Sequence, residues 1–219
     1  MSLSIEAAGE TLELLSDGAV WWPAARTLFA ADLHLGKGAA FRAQGQAVPA
    51  GSSARTLARL KALAASHGAE RLVVLGDFWH SAEGLTPALL EAVSGFAQRL
   101  PTVLVLGNHD RRIHPPDVPL QAVSAALPLG PLTAAHEPPP PGTPGFTLAG
   151  HWHPAVIIAS RAGDRLRRPC FVHYPHVLVL PAFGGLTGAL TLRRSDLARH
   201  GAQVALLGDG TLHWLPLRR

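Results

Sequence analysis

The stretch Thr27-Leu28-Phe29-Ala30-Ala31-Asp32-Leu33-His34 sets the frame for the whole chain. A compact run without charge is followed at once by a carboxylate and an imidazole. The same order returns twice. Arg71-Leu72-Val73-Val74-Leu75 runs into Gly76-Asp77, and Thr102-Val103-Leu104-Val105-Leu106 runs into Gly107-Asn108-His109-Asp110. Short apolar runs with punctuation behind them read as buried strands. Between the first two, residues 53–67 place Leu57, Leu60, Leu63 and Ala64 at helical spacing, with Gly68 as the expected C-cap. Between the next two, Thr86-Pro87 opens a helix whose apolar face is Leu89, Leu90, Val93, Phe96 and Ala97. This βαβαβ order, with right-handed crossovers, predicts one mostly parallel sheet.

Working outward, the pattern changes after Gln121. Residues 132–135, 146–149, 155–160, 177–180, 190–192, 203–207 and 211–215 read as short strands joined by Gly/Pro turns, with Gly208-Asp209-Gly210 as a hairpin connection. The stretch before Pro23 also reads as strands, turning at Asp17-Gly18. A parallel-rich first half and an antiparallel-rich second half predict an α/β (α+β) domain over residues 1–219, in which two sheets pack face to face with helices outside. The prolines at 138–141 read as a rigid loop rather than a linker. The 219 residues are 47% hydrophobic and 16% charged, which excludes a disordered chain. No window is apolar enough for a membrane span. The start, Met1-Ser2-Leu3-Ser4-Ile5-Glu6, lacks the form of a signal peptide, so a cytoplasmic location is expected. A net charge of +4 permits a polyanionic substrate without demanding one. The single cysteine, Cys170, excludes a Cys-rich zinc cluster and has no neighbouring charge to activate it.

Chemistry concentrates behind the strands. Asp32 and His34, Asp77, Asn108 and His109, then His136, then His151 and His153 follow five successive apolar runs. Ligands gather at the carboxyl ends of strands in open α/β sheets. Carboxylate, imidazole and amide oxygen together suit divalent ions such as Mn²⁺, Fe or Zn²⁺. Asp32-x-His34 and His151-x-His153 have the i, i+2 spacing that puts both side chains on one side of an extended backbone. Gly76, Gly107 and Gly150 are expected to permit sharp turns out of the sheet.

Asp-x-His, Gly-Asp, Gly-Asn-His-Asp, a lone His and Gly-His-x-His, in this order, resemble the calcineurin-like metallophosphoesterases. Residues 31–42, Leu75-Gly76-Asp77-Phe78-Trp79-His80, His136-Glu137-Pro138, Pro169-Cys170-Phe171 and Leu180-Pro181-Ala182-Phe183-Gly184 are similar to the bacterial ligase-associated DNA damage response endonuclease group. The resemblance implies a four-layer α/β/β/α sandwich and two divalent metal ions, Mn²⁺ first and Fe, Zn²⁺ or Mg²⁺ as alternatives. It implies that Asp77 bridges the ions. Asp32, His34 and His153 complete one, Asn108, His136 and His151 complete the other, and His109 is the catalytic, non-ligand histidine. It further implies a DNA substrate and, as partners, an ATP-dependent DNA ligase, a helicase and an exonuclease-like protein. Many members carry a second aspartate where this chain has His80, which leaves open what supports His109.

Lys37, Arg42, His80 and Arg111 are candidates for substrate contact. Arg112, Arg161, Arg165, Arg167 and Arg168 could extend a phosphate track, and Trp152, Trp79 and Phe41 could stack bases. His67, His114, His173, His176, His200 and His213 read as surface or core residues. Hydrolysis of a small phosphoester, such as a cyclic nucleotide or a phosphomonoester, is the alternative activity. A non-catalytic scaffold of the same fold is the third reading, which the clustered carboxylates and imidazoles disfavour.

Overall fold

The computed structural model describes residues 2–113, 117–159 and 163–217. His114, Arg161 and the last residue of the strand expected over 155–160 lie outside the described residues. The first sheet runs in chain order: β1 (Ser2–Ala7), β2 (Glu10–Leu15), β3 (Val20–Trp22), β4 (Thr27–Ala30), β5 (Arg71–Leu75), β6 (Thr102–Val105) and β7 (Gln121–Val123). β1 to β4 pair antiparallel, and β4 to β7 pair parallel. The second sheet contains β8 (Leu127–Leu129), β9 (Leu132–Ala134), β10 (Phe146–Ala149), β11 (Pro154–Ala159), β12 (Arg165–Tyr174), β13 (Val177–Val179) and β14 (Leu190–Thr191), in the order β14-β11-β12-β13-β10-β9-β8. β15 (Gln203–Leu207) pairs with β12 and with β16 (Leu212–Leu215). Five of these pairings are antiparallel, while β10 is parallel to both of its neighbours and β11 is parallel to β14.

The layers follow from side-chain alternation along the strands. In β4 and β5, Phe29, Val73 and Leu75 face the second sheet, where they meet Phe146, Leu148, Phe171, Leu178 and Leu180. Leu28, Leu72 and Val74 face outward onto two helices, α2 (Ser52–His67) and α3 (Pro87–Ala97), through Leu57, Leu60, Val93 and Phe96. Both faces of these strands are covered, so their sequences are continuously apolar rather than alternating. The outer face of the second sheet, with Val156, Cys170, Val172 and Val179, packs on Leu197 of α4 (Arg194–Arg199). The order is helix, sheet, sheet, helix, with the expected two mixed sheets and a thin outer layer over the second. Burial raises the Cys170 thiol to about 12, which keeps it protonated. Among the described residues, no helix is long and apolar enough to cross a membrane.

Helix α2 ends on Gly68 at φ 64°, as its position predicts. α3 opens with Pro87 and with Thr86 accepting the Leu89 N–H at 3.3 Å. Five elements depart from the sequence expectation. α1 (Lys37–Ala43) is a helix that no apolar periodicity announces; Gly38 and Ala40 are buried, Gly38 close against Ser52 at the start of α2. α4, β7 and β8 were likewise not expected. β12 runs through a segment that its arginines and Pro169 mark as irregular. Its second half, Cys170 to Val172, is buried, while Arg165, Leu166 and Arg167 run out into solvent.

The loops behind β5 and β6 are fastened together by one buried side chain. Asp110 accepts the backbone N–H groups of Phe78 (3.3 Å), Trp79 (2.9 Å) and Gly107 (3.0 Å). Burial raises its carboxyl, against the three N–H donors, which favour the ionised form. Removing the carboxylate strands three buried donors. Asp110→Ala is therefore expected to lower the free energy of unfolding by about 3 kcal/mol or more. Denaturant titration reads this, and an unchanged midpoint would show that Asp110 does not hold the loops.

Candidate metal centre

The carboxyl ends of β4, β5 and β6 in the first sheet and of β9 and β10 in the second converge on one point. The backbone leaves these strands abruptly. Asp32 (φ 53°), His34 (44°), Asp77 (49°), His151 (71°) and His153 (45°) are all left-handed. The convergence of Asp32 with His34, and of His151 with His153, therefore comes from left-handed turns and not from an extended pleat. A side chain at such φ values costs on the order of 1–3 kcal/mol, and such residues cluster at functional sites. Gly76 has the φ of +81° that a sharp turn requires. Gly107 and Gly150 serve differently, by close approach. A Cβ on Gly107 would collide with the Asp77 carboxylate, and one on Gly150 would lie 2.8 Å from both Ala31 Cβ and Asp32 Oδ2.

The resulting set has two halves. In one, His34 Nε2 lies 3.3 Å from His153 Nε2, and His153 Nε2 lies 3.4 Å from Asp32 Oδ1. In the other, His136 Nε2 lies 3.0 Å from both Asn108 Oδ1 and His151 Nδ1. Ligand atoms sharing one divalent ion at about 2.1 Å stand about 3.0–3.4 Å apart. Asp77 lies between the halves. Its Oδ2 is 3.8 Å from His34 Nε2, and its Oδ1 is 3.6 Å from His136 Nε2.

Hydrogen bonds from behind aim the lone pairs inward. His136 Nδ1 donates to the Leu75 carbonyl at 2.9 Å, which leaves its Nε2 bare toward Asn108 and Asp77. His153 Nδ1 donates to the Gly188 carbonyl at 3.0 Å, leaving its Nε2 toward Asp32. Such backing of an imidazole by a carbonyl is how proteins fix a metal-binding tautomer. Asp32, fully buried, is held by the His151 N–H at 2.9 and 3.2 Å. Burial, and then the surrounding histidines, push His34 down to about 2, so it stays neutral. Burial also opposes charge on His153, but the Asp32 carboxylate and the Gly188 carbonyl outweigh it and raise its pKa. Acceptors facing one another in a buried space need positive charge between them. Asp32, His34 and His153 form one group able to hold a cation, and Asp32, Asp77 and His136 form a second.

His109 stands at the edge of the set. Its backbone N–H reaches Asp77 Oδ1 at 3.0 Å, and its ring lies edge-on to His34 at 4.9 Å between centroids. Its Nδ1 donates to the backbone carbonyl of His80 at 2.7 Å. The His80 side chain stacks on the His109 ring, 5.3 Å between centroids and 23° apart. The carbonyl of residue 80 thus orients His109, whichever side chain that residue carries. Burial, and then Lys37 and His109, lower His80 to about 4, so it adds no charge beside His109.

Of the substrate-contact candidates, Lys37 begins α1 beside His34, with its ammonium over the Phe41 ring, and burial lowers its pKa. Arg42 and Arg111 are exposed and donate to loop carbonyls, Arg42 to Val48 and Pro49 and Arg111 to Ser124. Arg168 pairs with Asp209 at 3.1 Å. Trp79 is 1% exposed, which rules it out as a stacking surface. Asp110 had no role at the level of sequence, since its donors Phe78 and Trp79 lie about thirty residues away in the chain.

Residues 25–208 match the calcineurin-like phosphoesterase family, and the chain belongs to it. A nuclease from Pseudomonas putida, MPE, has 36% sequence identity and a TM-score of 0.80, and the match covers 98% of this chain and 100% of that one. A phosphoesterase from E. coli, Yfce, has 17% identity and a TM-score of 0.42 over 88% of this chain and 99% of that one. A predicted phosphoesterase from Streptococcus pneumoniae has 12% identity and a TM-score of 0.34 over 82% and 80%. No curated protein matches the chain. The protein is a metal-dependent phosphoesterase, with candidate residues for a dinuclear site.

The close approach at Gly107 makes a direct test of this geometry. Gly107→Ala must displace the Asp77 carboxylate and is expected to weaken Mn²⁺ binding at least about tenfold, as changes to the groups that hold a metal ligand in place commonly do. Calorimetric titration measures this, and parental affinity in the variant would show that Asp77 is not confined as described.

Proposed function

We propose that this protein is a two-metal phosphodiesterase that cuts nucleic acid, acting as a DNA endonuclease in repair. The single observation that supports it most is the convergence of Asp32, His34, Asp77, Asn108, His136, His151 and His153 in a chain 36% identical to a nuclease over nearly its whole length. Asp32, His34 and His153 would hold one ion and Asn108, His136 and His151 the other, with Asp77 placed between the two groups. When bound, two divalent ions, Mn²⁺ by this reading, supply Lewis acidity and a nucleophile near neutral pH.

The protein's own groups do the rest. The buried carboxylates of Asp32 and Asp77 and the imidazoles around them hold their ligand atoms toward one shared space. His109, with Nδ1 committed to the His80 carbonyl, turns Nε2 to the leaving oxygen and in its imidazolium form gives up the Nε2 proton there, becoming the neutral imidazole. His80 packs flat against that ring and keeps it from rotating. Lys37 offers a positive charge to a phosphate beside His34. The repair context, and with it an ATP-dependent DNA ligase, a helicase and an exonuclease-like protein as partners, rests on the resemblance in residues 31–42, 75–80 and 180–184.

A salt-controlled assay with Mn²⁺ on supercoiled, linear and single-stranded DNA, beside bis-p-nitrophenyl phosphate, tests the reading. DNA cleavage is expected, and Asp77→Asn is expected to abolish it. His109→Ala is expected to keep its metal and turn over about 10²–10⁴-fold more slowly. Hydrolysis of the small diester without any cleavage of DNA would overturn the nuclease reading. Loss of metal from His109→Ala would overturn its role as an acid.

A further inference from the structure

A cleft of about 620 Å³ lies on the outer side of the second sheet, bounded by the proline loop 138–141, Trp152, Tyr174, His176 and His200. Its size suits a small organic group. Part of its lining neighbours the metal centre along the chain. Trp152 stands between His151 and His153, and the proline loop starts two residues after His136. Adjacent Cα atoms are about 3.8 Å apart, so the Trp152 backbone lies within one residue's reach of both His151 and His153.

The lining contains no acidic side chain and no lysine or arginine. That excludes it as a phosphate site and leaves aromatic, imidazole and pyrrolidine surfaces. Trp152 and Tyr174 are half-buried, each packed on the apolar cluster that includes Val172 and Val177. Their contacts hold the rings in place before any ligand arrives. The Tyr174 and His176 rings lie 6.3 Å apart at 31°. Fixed aromatic faces of this kind bind bases of any sequence by stacking. The prolines opposite supply a stiff wall with no N–H groups to be left unpaired.

We infer that this cleft takes an unpaired nucleobase of the substrate strand, stacked on Trp152 and Tyr174, while a neighbouring phosphate lies at the metal centre. The inference rests on the nucleic-acid reading above. A base inside a duplex has both faces covered and cannot enter. The cleft therefore adds affinity for the base next to the cut and leaves the chemistry to the metal centre.

Two measurements on the manganese-loaded protein test this. The first compares kcat/KM for a thymidine oligonucleotide with that for an abasic oligonucleotide of equal length and charge. The parent is expected to prefer the thymidine chain about tenfold, Tyr174→Ala to lose that preference, and Tyr174→Phe to keep it. Metal content of each variant shows whether the centre is intact. The second is photo-cross-linking of an oligonucleotide carrying 5-iodouracil to the parent protein, with adducts expected on Trp152 or Tyr174. Equal use of thymidine and abasic chains by the parent, or adducts confined to other residues, would overturn the cleft and leave the nuclease reading standing. Cleavage of neither chain would overturn both.

Discussion

Seven side chains meet behind strands of two different sheets, and the approach of those strand ends is the constraint on which the architecture depends. At Gly150 the second sheet comes so near to Ala31, Asp32 and the Leu75 carbonyl that only a hydrogen fits. At Gly107 the first sheet leaves room for the Asp77 carboxylate by the same means. The apolar sandwich beneath, from Phe29 and Leu75 to Leu148 and Leu180, fixes the separation of the sheets. Contacts across the top, such as the Phe183 N–H on the Ala31 carbonyl at 2.9 Å, fix their alignment. Without this closeness, Asp32 and His153 would not face one another, nor would Asn108 and His136.

The closeness is costly to maintain. Five left-handed residues together disfavour the native backbone by on the order of 5–15 kcal/mol, as much as the net stability of an entire domain. Converging lone pairs add to the cost. The core and the Asp110 clamp offset part of it, and cations in the centre would offset more by binding only the folded chain. This balance explains why the scaffold around the centre is so completely buried: Phe29, Leu28, Leu72 and Leu75 have no exposed surface.

Much of this was legible in the sequence for a physical reason. Strands β4, β5 and β6 are covered on both faces, so each reads as an unbroken apolar run, and whatever follows it must lie at a strand end. That put Asp32, His34, Asp77 and Asn108 at strand ends, and the shorter apolar runs of β9 and β10 did the same for His136, His151 and His153. Backbone handedness was not legible, because the sequence carries no mark for positive φ at an aspartate or histidine. The i, i+2 spacing therefore suggested a pleat where there is a left-handed turn. The helical state of residues 37–43 depends on contacts with α2, and β12 hides behind three arginines because half of it projects into water. A histidine at position 80 is compatible with an oriented His109 because the group that orients it is the residue 80 carbonyl, which every residue possesses.

Anomalous diffraction from crystals soaked in Mn²⁺ would test the central claim most directly. Two peaks are expected, one among Asp32, His34 and His153 and one among Asn108, His136 and His151, with Asp77 in contact with both. A single peak, or manganese bound elsewhere while these residues remain as they are, would contradict a dinuclear centre built on the shared carboxylate of Asp77.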